Sequence, residues 1–126
     1  MVNNVRARQL DKSPPFYVHV DSDGYVVPVI PLYRERGMNV MSPFEVAAGN
    51  DVIDIGRQYP DLVLWGGIDK RVLATTPQEI DEMLERIVPV MRARGGYIPI
   101  WDHGVPEEVP YQNYLHYRRR RVELGG

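Results

Sequence analysis

Four times along this chain an apolar, largely β-branched segment ends in a loop that leads into a helical pattern. Phe16-Tyr17-Val18-His19-Val20 follows Ser13-Pro14-Pro15 and reads as a strand after a breaker. The turn cluster Asp21-Ser22-Asp23-Gly24 comes next. Val26 to Arg36 then carries Val26, Val29, Ile30 and Tyr33 at helical spacing, with Pro28 and Pro31 tolerable only in a first turn. Met38 to Met41 is the second strand, and Asp51 to Tyr59 a short second helix closed by Pro60. Leu62-Val63-Leu64-Trp65 is a continuous apolar run, as expected for a strand covered on both faces.

The sharpest local signal is Thr76-Pro77-Gln78-Glu79. Thr76 suits an N-cap, Pro77 the first helical position, and Glu79 completes a capping box. Ile80, Met83, Leu84, Ile87, Val88 and Met91 then share one helical face, with a kink expected at Pro89 and an end at Gly95-Gly96. Tyr97 to Trp101 is the fourth strand. Val109-Pro110 opens a last helix carrying Tyr111, Tyr114, Leu115 and Val122. The order β-α-β-α-β-α-β-α predicts an α/β fold, a parallel (βα)4 unit with right-handed crossovers, in a single domain spanning 1–126.

Composition narrows the function classes. A net charge of −2 argues against a nucleic-acid partner or a basic membrane surface. The chain has no cysteine, which removes disulfides and thiolate metal sites and fits a reducing, cytoplasmic setting. Met1 to Lys12 is polar without an apolar leader, and no run reaches membrane-spanning length, so no membrane partner is expected.

Alternation in the first strand puts Phe16, Val18 and Val20 on one face and Tyr17, His19 and Asp21 on the other. Parallel α/β proteins gather their chemistry where strands end and helices begin. Three patches lie there: Val18 to Gly24, Gly66-Gly67-Ile68-Asp69-Lys70, and Trp101-Asp102-His103-Gly104-Val105-Pro106.

Several blocks carry a family likeness. Phe44-Glu45-Val46-Ala47-Ala48-Gly49, Gly66 to Lys70, and Tyr97-Ile98-Pro99 followed by Asp102-His103-Gly104 resemble the uroporphyrinogen decarboxylase superfamily. That group includes the decarboxylases and the related corrinoid and coenzyme M methyltransferases. The blocks agree in order and spacing from Pro15 to Tyr117. The resemblance implies an eight-stranded (β/α)8 barrel, of which this chain is similar to the second half, strands five to eight. Such barrels take about 250 residues, so 126 suits one half. Two copies supply four strands each, and a homodimer is the implied assembly.

The implied activity is cofactor-free decarboxylation of a tetrapyrrole acetate side chain. The alternatives are a zinc-dependent methyltransferase-like site and a non-catalytic half-barrel assembly or binding module. The family's first half carries an aspartate that binds pyrrole nitrogens and arginines that bind propionates, and the likeness does not extend to that region.

The resemblance also proposes residues. His103 stands where the family has its strand-eight His-Gly, which implies proton donation or a carboxylate contact at the substrate. Asp102 beside it can orient or charge it, making the two the catalytic candidates. The plainer reading is a turn histidine bonded to backbone. His19 and Asp21 match the positions of the methyltransferase relatives' His-x-Cys zinc pair, and the third ligand falls near His103. His19, Asp21 and His103 therefore form the alternative metal set, whose nitrogen and oxygen donors suit Zn²⁺ or Fe²⁺. Substrate contact is expected from His19, Asp21, Asp69 and Lys70. The last two follow Gly66-Gly67, glycines that allow a backbone to approach a ligand closely. A salt-bridged βα loop is the rival reading there. Arg118 to Arg121 reads as the polar end of the last helix, where cations meet the negative dipole end. Tyr111, Tyr114 and Tyr117 recur at helical spacing and read as packing.

Overall fold

The computed structural model describes residues 7–8 and 16–125. Its strands are β1 (His19–Asp21), β2 (Val40–Ser42), β3 (Val63–Trp65) and β4 (Tyr97–Ile98). They form one four-stranded sheet in the order β1-β2-β3-β4, every neighbouring pair parallel. The helices are α1 (Ile30–Glu35), α2 (Val52–Gln58), α3 (Lys70–Leu73), α4 (Pro77–Arg94) and α5 (Tyr111–Glu123). The expected α/β (βα)4 unit is therefore present. Among the described residues no helix is long and apolar enough to cross a membrane.

The strands are shorter than the apolar runs that announce them. At the amino end of β1 the Val18 carbonyl still accepts from the Val40 amide at 3.1 Å, and the Asn39 side chain takes the groups beyond it. Its Oδ1 accepts from the Val18 amide at 2.6 Å, and its Nδ2 donates to the Phe16 carbonyl at 2.8 Å. Where one helix was expected over Val26 to Arg36, a 3₁₀ turn at Val27–Val29 precedes α1. Pro28 and Pro31 each fall in a first turn, which is the placement a proline tolerates. The four-residue α3 has no counterpart in the sequence reading. It starts where the Asp69 carboxylate accepts from the Arg71 amide at 3.0 Å.

The longest helix, α4, follows its sequence signals closely. Thr76 Oγ1 accepts from the Glu79 amide at 3.2 Å, Pro77 sits in the first turn, and Gly95 at φ 82° ends the helix. Its buried residues are Ile80, Met83, Leu84, Ile87, Val88 and Met91. Pro89 lies inside the helix, on its exposed side, and the helix runs on past it. The α4 face packs with Met41, Leu64, Ile68 and Tyr117 in one core. Each such side chain contributes about 1.5–3 kcal/mol by leaving water.

Register divides the sheet into two faces. Val20, Met41, Leu64 and Tyr97 are partners across the strands. Met41 and Leu64 belong to the core beneath the helices, and Val20 and Tyr97 pack against it. The alternate residues, His19, Asp21, Val40, Ser42, Val63, Trp65 and Ile98, occupy the opposite face. Among the described residues, no named helix packs on that face. It forms a cup of about 540 Å³ lined chiefly by Tyr17, Val40, Val63, Trp65 and Ile98. Tyr17 is 62% exposed and Ile98 44% exposed.

Candidate functional site

The loops leaving β1, β2 and β4 meet at the carboxyl end of the sheet, and buried anchors hold each one. Asn50, itself buried, accepts from the Val26 amide at 3.1 Å and donates to the carbonyls of Gly24 at 2.8 Å and Glu45 at 2.9 Å. One amide thus ties the loop bearing Asp23 to the loop bearing Glu45. Phe44 adopts φ 57° and is fully buried, so its packed ring offsets the strain of a left-handed backbone. In the β4 loop, Trp101 meets Tyr114 and Tyr117 edge-on, at centroid distances of 5.8 and 5.1 Å. The next two residues are Asp102 and His103.

His103 also has a left-handed backbone, φ 56°, a conformation that costs an L-residue about 1–2 kcal/mol. Its imidazole lies within reach of three carboxylates. Nδ1 lies 3.4 Å from Asp102 Oδ2, and Nε2 lies 3.1 Å from Asp23 Oδ1 and 3.9 Å from Glu45 Oε1. The Asp102 carboxylate is 5% exposed as a residue and also takes Lys70 Nζ at 3.1 Å. A buried carboxylate without cations would be unstable, and Lys70 and His103 supply them. The hydrogen bond to Asp102 raises the His103 pKa above the ordinary histidine value, and the Asp23 charge adds to the effect. The result is a chain, Lys70–Asp102–His103–Asp23, able to hold a proton on His103.

A second polar chain runs along the open face of the sheet. His19 Nε2 lies 2.8 Å from Ser42 Oγ, and Ser42 Oγ donates to Asp21 Oδ2 at 2.6 Å. The His19 ring stacks on Trp65 with centroids 5.1 Å apart and 18° between planes. A hollow of about 180 Å³ joins the two chains, lined by His19, Asp21, Ser42, Trp65, Trp101 and His103 among others.

The structure sorts the sequence candidates. Asp102, His103 and Lys70 come together, and His19 and Asp21 open into the same hollow as His103. His19 and Asp21 do not join His103 as a ligand set. Ser42 stands between them and bonds both, whereas the donor atoms of Asp23, Glu45 and His103 all lie within 4.8 Å of one another. Asp69 caps α3 and holds the Arg71 guanidinium at 2.8 and 2.9 Å, which lowers its pKa. That is the arrangement of the salt-bridged βα loop.

Gly66 and Gly67 do permit a close approach, but to the protein itself. A Cβ on Gly66 would stand 1.8 Å from the Pro43 carbonyl oxygen, and one on Gly67 2.2 Å from Val52. The arginine run disperses around α5. Arg118 lies over Tyr114, Arg119 pairs with Glu123, Arg120 binds Asp81, Glu85 and Glu123, and Arg121 donates to the Pro99 carbonyl. Sequence reasoning missed Ser42, Glu45 and Asn50 as site residues. Only the register of β2 against β1 could have pointed to Ser42, as the partner of Asp21.

The class so defined is a parallel α/β unit with a titratable rim at the carboxyl ends of its strands and, among the described residues, one sheet face on which no named helix packs. Comparison with protein-family models, curated proteins and solved structures gives no match to this chain.

Proposed function

We propose that this chain is half of a lyase-type barrel of the uroporphyrinogen decarboxylase kind, and that it supplies the proton-handling rim of the cleft. The observation that carries the reading is the Lys70–Asp102–His103 chain at the carboxyl end of a parallel sheet. In this reading protonated His103 delivers its proton to a pyrrole carbon, and CO₂ leaves as the C–C electron pair passes to the ring. The exocyclic methylene then gains a proton as the ring carbon returns its own, leaving a methyl group. Asp102 steadies the imidazolium, and Lys70 keeps the Asp102 charge compensated. The rim is rich in carboxylates, so cations from outside this unit must meet the substrate's own carboxylates.

The sheet face that no named helix covers among the described residues supports closure by a second copy. Both β1 and β4 are edges, and the exposed Tyr17, Trp65 and Ile98 form an apolar surface between them. A two-fold partner brings four more parallel strands and buries that surface. Sedimentation at micromolar concentration is expected to give a dimer, and a monomer there overturns closure by a second copy. With porphyrinogen as substrate, His103→Ala is expected to lower turnover by about 10²–10⁴-fold. Unchanged turnover removes His103 from the mechanism.

A metal-assisted reading has one observation in its favour, the convergence of Asp23, Glu45 and His103 donor atoms within 4.8 Å. One imidazole and two carboxylates fit Zn²⁺ or Fe²⁺ with positions left open for substrate. Metal analysis of untagged protein decides it. Stoichiometric metal that is lost on Asp23→Asn favours this reading, and metal-free protein that still turns over porphyrinogen rejects it.

A further inference from the structure

We infer that Ser42 is a positioning residue that holds the His19 imidazole with its proton on Nε2, leaving Nδ1 as the basic atom of the open face. The argument is a proton count. A serine hydroxyl has one proton, and Ser42 Oγ gives it to the Asp21 carboxylate at 2.6 Å, a short, charge-assisted bond. The same oxygen lies 2.8 Å from His19 Nε2, so it can act there only as acceptor. Nε2 must then carry the hydrogen, and in the neutral ring Nδ1 carries the lone pair.

Three features make this a built arrangement. Ser42 is 5% exposed, so water competes poorly for its hydroxyl. The pairing register sets Asp21 directly opposite Ser42 and His19 opposite Val40, which fixes the spacing of the chain through the backbone. The stack on Trp65 fixes the plane of the ring. Among the described residues Nδ1 has no hydrogen-bond partner, and the His19 ring lines the hollow. The order His19, Ser42, Asp21 also settles what Ser42 is not. A nucleophilic serine gives its proton to a histidine, and here the proton points to a carboxylate.

This inference is independent of the proton-handling reading of His103, and its test needs no turnover. In protein labelled with ¹⁵N at histidine, the resonance set that disappears in His19→Gln belongs to His19. At a pH where His19 is neutral, that set is expected to show a protonated Nε2 and a bare Nδ1. The Nε2 hydrogen is expected to exchange with solvent at least about tenfold faster in Ser42→Ala, with slow exchange restored in Ser42→Thr. Asp21→Asn, which weakens the far end of the chain, is expected to speed exchange by less. A proton on Nδ1 in the unaltered protein overturns the inference, and so does unchanged exchange in a folded Ser42→Ala. A merely structural serine would lower the melting temperature without moving either signal.

Discussion

The two ends of the sheet use charge in opposite ways. At the amino end, Arg94 donates to backbone carbonyls of Gly56, Tyr59, Leu62, Gly95 and Gly96, at 2.6 to 3.4 Å. No carboxylate takes part in those five bonds. The guanidinium closes the C-terminus of α2 and the loops entering β3 and β4, and burial pulls its pKa down. At the carboxyl end, His103 faces three carboxylates and is half open to water. One end satisfies acceptors that never change charge. The other gathers groups whose charge changes with a proton. This sheet thus sets the Arg94 ties where its strands begin and the His103 cluster where they end.

The largest effect expected complicates that division. Gly66 belongs to the chemical end, yet Gly66→Ala is expected to destabilise the fold by about 4 kcal/mol or more, because its Cβ has no room beside the Pro43 carbonyl at φ 129°. Denaturant unfolding reads this directly, and a loss under about 1 kcal/mol means the β3 loop relaxes freely. Next comes the amino end itself. Arg94→Met is expected to cost about 3 kcal/mol by stranding partly buried carbonyls, while leaving the His103 titration where it was. If that titration moves, the two ends are coupled and the contrast fails.

A smaller effect belongs to the rim. The folded His103 pKa lies above its unfolded value, so its contribution to stability is complete below about pH 6.5 and fades as pH rises through the folded value. Asp102→Asn is expected to bring the His103 titration down toward the ordinary range and flatten that slope. An NMR titration of the ring that stays in place would assign the shift to Asp23 instead. The smallest effect lies on the surface. Asp61→Asn breaks an exposed pair with Arg34, which lowers the Asp61 pKa, and is expected to cost under about 1 kcal/mol near neutral pH. The thermal midpoint should barely move, and less still as pH falls through the lowered carboxylate pKa.

How far the sequence could be read depended on the range of each interaction. The start of α4 and its buried face were legible, because a cap and a 3.6-residue period are local. The exposed face of β1, with Tyr17, His19 and Asp21, was legible from alternation alone. Asp102 and His103 carried a recognisable motif. That Asp23, Glu45 and Lys70 meet them was not legible, since those three arrive from three other loops. Ser42 ends an apolar strand with nothing local to mark it. Asp69 and Gly66-Gly67 were visible as special positions, but sequence could not tell a ligand from the protein's own Arg71 and Pro43. Strand lengths were overestimated because apolarity runs past the fully paired residues, to where a side chain such as Asn39 bonds the Val18 amide and the Phe16 carbonyl.

The stacked pair of His19 and Trp65 has an optical consequence. The chain's two tryptophans sit in unlike surroundings, Trp101 against the tyrosines of α5 and Trp65 on the bare side of the sheet beneath an imidazole. An indole in contact with imidazole loses emission when that ring gains a proton, and its spectrum shifts to the blue when water is excluded. Trp65 is therefore a native fluorophore for whatever comes to lie against the sheet. A variant that keeps Trp65 and replaces Trp101 with phenylalanine would report that event by colour, with no added label.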